Sequence, residues 1–485
     1  MQIIFPRPFA IAIDDLGWIN GQNDGEGGYG PYRLGMDRNI TLKDYEAVVD
    51  LAKEAGVRLQ GLFILSEMDR ENFLGAYPTT THMREKWNND ALISDLQLDI
   101  MEFVKKGAAH LEFGLHGVGH EFWPEAGKRR RAEWYNTVDH HPWPEEEIRI
   151  HVECYIRILK QYGLSQDNGH SFPESFVPCA YSYHWDPEGP YSSGSILSDY
   201  GVRYANTDFT QIPECNPPAE PNGGGFDHRV HVMNRYNYGN LWYEMGKLPT
   251  TPLEAQPTDY IETHWPNLLA AEGQSQKDIT ERWADYYQAV QATRDRYCAK
   301  NTAQMHSQWL YNTYTKVTET STGVVQIDNT QMPDHVYRGY FPANMVLKVP
   351  LKPGEHVSAA TIDGAPIPAY IEHEGYGHLY LPQLLQKTYE LRYETGTTPL
   401  QNVIWHEDTC TIFELTVREA LTKIDLCLYG TQELKLRSTR EPEQVESNNP
   451  AISILRWEMQ GNMLVIKAKA HDIQGEIGAI MVEYR

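Results

Sequence analysis

The sequence predicts an α/β unit built on a parallel sheet, followed by an all-β region. Three observations carry that reading. Through roughly the first three hundred residues, short apolar stretches alternate with amphipathic helical ones, the pattern of βα units. From about Thr315 onward the apolar period drops to two, between Gly, Pro and Asn turns. The 485-residue length exceeds what one hydrophobic core usually organises, so more than one unit is expected.

The elements follow in order. Phe9 to Ile13 is an apolar strand that ends at Asp14-Asp15. Thr41-Leu42-Lys43-Asp44 opens a helix as a capping box with Asp in place of Glu, Val48, Val49, Leu51 and Ala52 fall on one face, and Gly56 stops it. Val57 to Phe63 is the next strand. A helix over Asp95–Lys106 is stopped by Gly107, and Leu111 to Leu115 is a strand with His116 at its C-terminal end. A third helix starts after Pro144, with Glu145, Glu146 and Glu147 in its first turn, where the dipole favours them, and ends near Gly163. Another spans Asp278 to Ala299. Beyond it, Met345 to Val349, Leu421 to Leu428, Met463 to Ala468 and Ile477 to Val482 read as strands. The expected units are residues 1–314, 315–397 and 398–485, divided at the polar stretch around Thr395 to Pro399, with the last two able to form one body. Two long connections, Gly17 to Gly35 and Glu121 to Pro144, follow strand ends, and loops of that length are usually functional.

Composition narrows the partners. Lys plus Arg number 42 against 66 Asp plus Glu, a net charge of −24, which opposes nucleic acid and anionic membrane surfaces. Thirty Tyr and twelve Trp supply rings that suit the apolar faces of sugars, although most belong to cores. Six cysteines are widely scattered with no CxxC pair, as in a reduced compartment. The first residues lack the layout of a signal peptide, and no run reaches the ~20 apolar residues of a membrane helix, so a cytoplasmic protein is expected.

Two segments carry chemistry. Asp14 and Asp15 leave a buried strand side by side, so one can ligate a metal while its neighbour accepts a proton. Glu112-Phe113-Gly114-Leu115-His116-Gly117-Val118-Gly119-His120 places two imidazoles four residues apart, with glycines that reduce bulk around them. Alone, an Asp pair is a turn cap and an HxxxH a core histidine plus a loop histidine. Together at two strand ends, they make a donor set for zinc or a similar divalent ion.

Ile13-Asp14-Asp15-Leu16-Gly17 resembles the first motif of the NodB-like polysaccharide deacetylases, carbohydrate esterase family 4, and the segment Glu112 to His120 resembles their second. The resemblance implies a distorted (β/α)7 barrel of NodB type, followed here by the β-rich, sandwich-like accessory region. It implies Asp14 as catalytic base, Asp15, His116 and His120 as ligands of one divalent ion, most readily Zn2+ with Co, Ni, Fe or Mn as substitutes, and removal of an N- or O-acetyl group from a carbohydrate. Phe176-Val177-Pro178-Cys179-Ala180-Tyr181 lies where the third motif falls, but Val177 stands where an arginine that orients the base is expected. Gly201 to Asp208 resembles the fourth motif, with Asp208 placed to tune a histidine. Tyr260-Ile261-Glu262-Thr263-His264 resembles the last, which makes His264 the general acid.

Weaker candidates surround these. Tyr181, Tyr183 and His184 are expected to line the groove, and Trp18, Tyr29, Trp123 or Trp185 to stack on a sugar. Asp139-His140-His141 ranks as an outer contributor. His373 to His378 reads as a hairpin turn, and Lys128-Arg129-Arg130-Arg131 as a solvated charge run or a patch for an anionic sugar or phosphate. Two rival functions remain open: glycoside hydrolysis by a pair of carboxylates on a related barrel, and an inactive carbohydrate-binding protein, which the absent arginine favours.

Overall fold

The computed structural model describes residues 2–22, 32–218, 225–337 and 344–485. Its N-terminal part is organised by β1 (Arg7–Leu16), β2 (Leu59–Ile64), β3 (Leu111–Gly117), the hairpin β4 (Phe122–Glu125) and β5 (Lys128–Arg130), β6 (Ser175–Phe176), β7 (Tyr204–Thr207), β8 (Gly225–Asp227), β9 (Val230–Asn234), β10 (Tyr260–His264) and β11 (Arg296–Cys298). The helices are α1 (Leu42–Ala55), α2 (Asp95–Lys106), α3 (Glu145–Gln161), α4 (Ser193–Tyr200), α5 (Gln276–Ala292) and α6 (Thr302–Tyr314). The main sheet runs β10-β1-β2-β3-β6-β7-β9-β8, with β11 also on β1. β2 and β3 are buried at every position, as strands covered on both faces must be.

Local chemistry explains the helix ends. The Asp44 carboxylate accepts from the Thr41 backbone N–H at 2.8 Å and from the Thr41 hydroxyl at 3.0 Å, so the capping box works with Asp. Gly56 closes α1 with φ 65°, and its N–H satisfies carbonyls of the last turn. Helix α5 ends at Ala292, earlier than the periodicity predicts. The chain then uses Arg296–Cys298 as a strand on β1 and enters α6, a helix the sequence did not signal.

The expected (β/α)7 barrel is not what the chain forms. The architecture is mixed α/β, 24% helical and 33% strand. The alternation of strands and helices breaks after β7, because β8 to β9 is an antiparallel hairpin and the route from β9 to β10 holds a single 3-10 turn among the described residues. The strand ladder is open from β10 to β8. Tyr236, just past β9, makes only an isolated bridge to Ile261 of β10.

The β-rich part is also more than one sandwich. A five-stranded, a seven-stranded and a four-stranded sheet follow α6. The seven-stranded sheet takes Val346–Pro350, Ala369–His373 and Tyr376–Tyr380 from before residue 398 and Val403–Trp405, Thr431–Arg437, Ile452–Gln460 and Met463–Ala470 from after it. Its sides serve two cores: Leu347, Tyr370 and Leu379 pack with Val325, Ile327 and Leu391, while Val346, Ala369 and Leu434 pack with Ile412, Ile424 and Ile480. No helix among the described residues is long and apolar enough to cross a membrane.

Lys348 ties this part to the first. Its backbone exchanges hydrogen bonds with Ile4, and its buried ammonium donates to the carbonyls of Gln291, Thr293 and Arg296 at 3.2, 2.7 and 2.9 Å. Burial pulls its pKa from 10.5 down to about 8. Between those values the unfolded chain holds more protons than the folded one, so this group adds stability as pH rises from about 8 and withdraws it as pH falls. Lys348→Met lacks that dependence. Denaturant unfolding of both proteins at pH 8 and pH 10 is expected to show the wild-type advantage growing at the higher pH; a constant difference would exclude the depressed lysine.

Candidate functional site

Asp14 and Asp15 face one cleft because β1 is bulged. Against β2, Ile13 pairs with Gly61 and Leu16 with Phe63, so two residues on β1 oppose one on β2. That extra residue breaks the alternation that would otherwise turn the two carboxylates to opposite faces. Asp15 sits in the left-handed region at φ 71°, and Gly17 follows at φ 103°. A Cβ on Gly17 would lie 2.1 Å from the Ile64 carbonyl oxygen, so only glycine permits the turn.

A second bulge presents His116. Leu115 pairs with Phe63 and Gly117 with Ile64, leaving His116 as the extra residue on β3. Its Nδ1 lies 2.7 Å from the Val177 carbonyl oxygen, which fixes the ring as an orienting partner does for a metal-binding imidazole. Buried Glu133 accepts from the backbone N–H groups of Val118 and Gly119, at 2.8 and 3.2 Å, and lies 2.8 Å from His151 Nδ1. The glycines of this segment serve packing rather than space around the imidazoles: a Cβ at 117 would meet Glu133 at 2.2 Å, and one at 119 the Thr80 carbonyl oxygen at 2.3 Å. His120 closes the turn at φ 65°, so both Asp15 and His120 hold strained backbone.

The donor atoms converge. Asp15 Oδ1 lies 3.3 Å from His116 Nε2 and 3.7 Å from His120 Nε2, and it has no hydrogen bond although fully buried. Two imidazole nitrogens and an orphaned carboxylate oxygen fit a divalent ion with an open coordination position, zinc first by donor type. Cys179 also falls within 4.8 Å of the histidine donors. Its thiol donates to the His116 carbonyl, and burial pushes its pKa up, so it is the poorer ligand. Burial would raise the Asp15 carboxyl too, but the adjacent imidazoles of His116, His120 and His264 hold it well below the usual carboxylate range. Tyr32 donates to Asp15 Oδ2 at 2.6 Å and stacks on His120 with ring centroids 4.0 Å apart.

Asp14 is held differently. Arg235, one residue past β9, places Nη1 2.8 Å from Asp14 Oδ1 and Nη2 against Oδ2, a buried bidentate fork. Its Nε lies 3.9 Å from Glu262 Oε2. Tyr181 donates to Glu262 Oε1 at 2.8 Å, and burial raises the Glu262 carboxyl against the pull of Arg235 and His264. No arginine stands at Val177, but one reaches Asp14 from elsewhere in the chain. Parallel pairing of β1 with β10 sets Asp14 opposite His264, whose Nε2 lies 3.9 Å from Asp15 Oδ2. Asp14, Arg235, Tyr181 and His264, with His116 and His120, line a cleft of about 320 Å³ whose other walls include Tyr32, Trp242, Arg129 and Arg131.

Other sequence candidates fall elsewhere. Trp18 is fully buried under Arg33, whose guanidinium carbon is 4.4 Å from the ring centre, and Trp123 is buried with Arg84 donating to its carbonyl. Neither lines the cleft. His184 packs between Tyr135 and Tyr191, and Tyr183 donates to Asp227, so both support a neighbouring loop. Asp208 caps its own turn, accepting from the Thr210 N–H and hydroxyl at 2.9 and 2.6 Å, rather than tuning a histidine. Trp185 is half-buried outside the cleft wall, and Tyr29 lies outside the described residues. His140 meets Glu214 at the surface, and His373 to Tyr376 is a hairpin turn with Glu374 and Gly375 at positive φ. Sequence reasoning passed over Arg235, Tyr32 and Glu133. Glu262 alone had a signal, since it shares a strand face with His264 two residues on.

No family model matches the chain, and no curated protein matches its sequence.

Removing one partner of a buried ion pair strands the other charge, at about 3–5 kcal/mol. Arg235→Gln is expected to lower unfolding free energy by about that much, and Asp14→Asn in the same chain to recover part of it. Urea titrations of the two single variants and the double variant measure the coupling; strictly additive losses would show that the pair is not a unit.

Proposed function

We propose that this protein is a metal-dependent hydrolase that removes an N- or O-acetyl group from a carbohydrate. The observation that supports it most is the convergence of Asp15, His116 and His120 beside an Asp14 that Arg235 holds in one orientation. A divalent ion bound by those three residues supplies Lewis acidity toward an acyl carbonyl and makes a water more acidic. The chain's own groups do the rest. Asp14, with both oxygens engaged by one guanidinium, keeps free lone pairs toward the cleft and accepts the proton of the attacking water. Across the Asp15 carboxylate, His264 delivers a proton to the departing amine or alcohol. The rings of Tyr32 and Trp242, 5.3 Å apart by centroid, form the apolar wall on which a sugar face rests.

The inactive-protein reading drew its strength from Val177, and Arg235 removes that support.

Asp14→Asn is expected to cut acetate release from acetylated sugars by about 10²–10⁴-fold while one equivalent of metal stays bound. His116→Ala and His120→Ala are expected to lose metal and activity together, and chelation of the wild type to abolish turnover that added zinc or cobalt restores. Undiminished acetate release from Asp14→Asn, or from chelated protein, would overturn the assignment.

A further inference from the structure

Of the four consecutive cations from Lys128 to Arg131, three are spoken for. Lys128 pairs with Glu125, Arg129 with buried Glu121, and Arg130 with Asp139 at 3.5 Å. Arg131 is exposed, lines the cleft that holds His116, His120 and His264, and pairs with no carboxylate among the described residues. The charges around it leave it uncompensated. Asp14 is taken by Arg235, Glu121 by Arg129, and Asp15 faces the two histidines. A divalent cation on Asp15 would add further positive charge. So in a chain of net charge −24 the wall of the candidate cleft carries Arg129, Arg131 and Arg235 against one carboxylate, Asp14, the reverse of the balance in the chain as a whole.

We propose that Arg131, flanked by Arg129, is an anion-binding subsite of this cleft, so that the acylated sugar it accepts also carries a carboxylate or a phosphate. The proposal deepens the deacylation reading and rests on it for the word acylated. A guanidinium presents a planar fork of N–H donors that matches either anion at two oxygens, with no need for a particular ring geometry behind it. Arg129 stiffens the hairpin through Glu121 and keeps a second guanidinium on the same cleft, whereas Arg131 pairs with no carboxylate among the described residues. Trp242 and Tyr32 line the same cleft and hold the ring face, so the subsite selects the substituent and the aromatic wall the sugar body. A neutral sugar would gain the aromatic contact and leave Arg131 to water.

Calorimetric titration of the zinc-loaded full chain with glucose, glucuronate and glucose 6-phosphate tests the subsite without requiring turnover. The charged probes are expected to bind about tenfold or more tightly than glucose, the stronger of the two identifying the anion. Arg131→Gln is expected to erase that preference, Arg131→Lys to keep part of it, and Arg130→Gln to leave it intact. Equal binding of all three probes, or a preference that survives Arg131→Gln because the anion sits on the metal, would overturn the subsite. Acetate assays on N-acetylglucosamine and its 6-phosphate separate the two ideas. An Arg131-dependent anion preference with no acetate released supports the subsite and refutes deacylation; equal turnover of both sugars by wild type and Arg131→Gln refutes the subsite and leaves deacylation standing.

Discussion

Neighbouring residues of a strand point to opposite faces, and this site needs two of them on one face. Everything around Asp14 and Asp15 follows from that conflict. The bulge in β1 resolves it, at the cost of a left-handed Asp15 and a Gly17 pressed against the Ile64 carbonyl. A second bulge does the same for His116 on β3. Both bulges form against β2, which stays regular and buried along its length, so it acts as the straight edge between two deformed strands. Such deformation persists only where packing over-determines it. Here the Glu133 carboxylate clamps the His116–His120 turn, and the Glu67 carboxylate accepts from the N–H groups of Ile19 and Asn20 just beyond Gly17.

The two carboxylates then diverge in chemistry through their partners. Asp14 meets a guanidinium, which fixes its plane without drawing it away from the cleft. Asp15 meets imidazoles and the Tyr32 hydroxyl, and its Oδ1 is left without a donor. A buried carboxylate oxygen without a hydrogen bond is costly unless something electropositive takes that place. One acid is therefore oriented by a guanidinium while the other keeps a carboxylate oxygen open, although they are adjacent on the chain. Glu262, 3.9 Å from the Arg235 Nε and held by the Tyr181 hydroxyl, adds a second carboxylate beside the guanidinium.

Local signals made the helix caps and the site's two motifs legible, because each depends on residues close in sequence: Thr41 with Asp44, Gly56 after the last turn, three Glu after Pro144, an Asp pair after an apolar strand. Long-range partners left no such trace. Arg235 is one arginine after a short apolar run, and nothing near it says that it reaches a strand 221 residues earlier. Helix α6 escaped for a different reason. Gln304, His306, Ser307 and Gln308 are all buried on it, and hydrogen bonds rather than apolarity satisfy them: the Gln308 amide donates to the carbonyls of Pro6 and Val346, and Gln304 accepts from the Lys300 N–H. A helix buried through polar contacts has no apolar stripe to read. The (β/α)7 barrel that the resemblance implies fails past β7, where the chain turns back on itself as a hairpin instead of crossing over.

The same geometry weighs against a carboxylate-only glycosidase. That chemistry sets its two carboxyl groups on either side of the scissile bond, one of them protonated to serve the leaving group. Asp14 and Asp15 leave one strand at one bulge and face the cleft from the same side. Asp15 is kept from protonation by the histidines around it, and Asp14 is locked by a bidentate arginine. Two nearby buried acids are raised by burial but neither lines the cleft: Glu262 turns toward Tyr181 and Arg235, and Glu121 toward Arg129 and the Tyr32 N–H. Among the described residues Asp14 is the one carboxylate on the cleft wall, so the two flanking acids of a glycosidase are not both present there, whereas His264 lies beside the donor cluster, as the proposed hydrolysis needs.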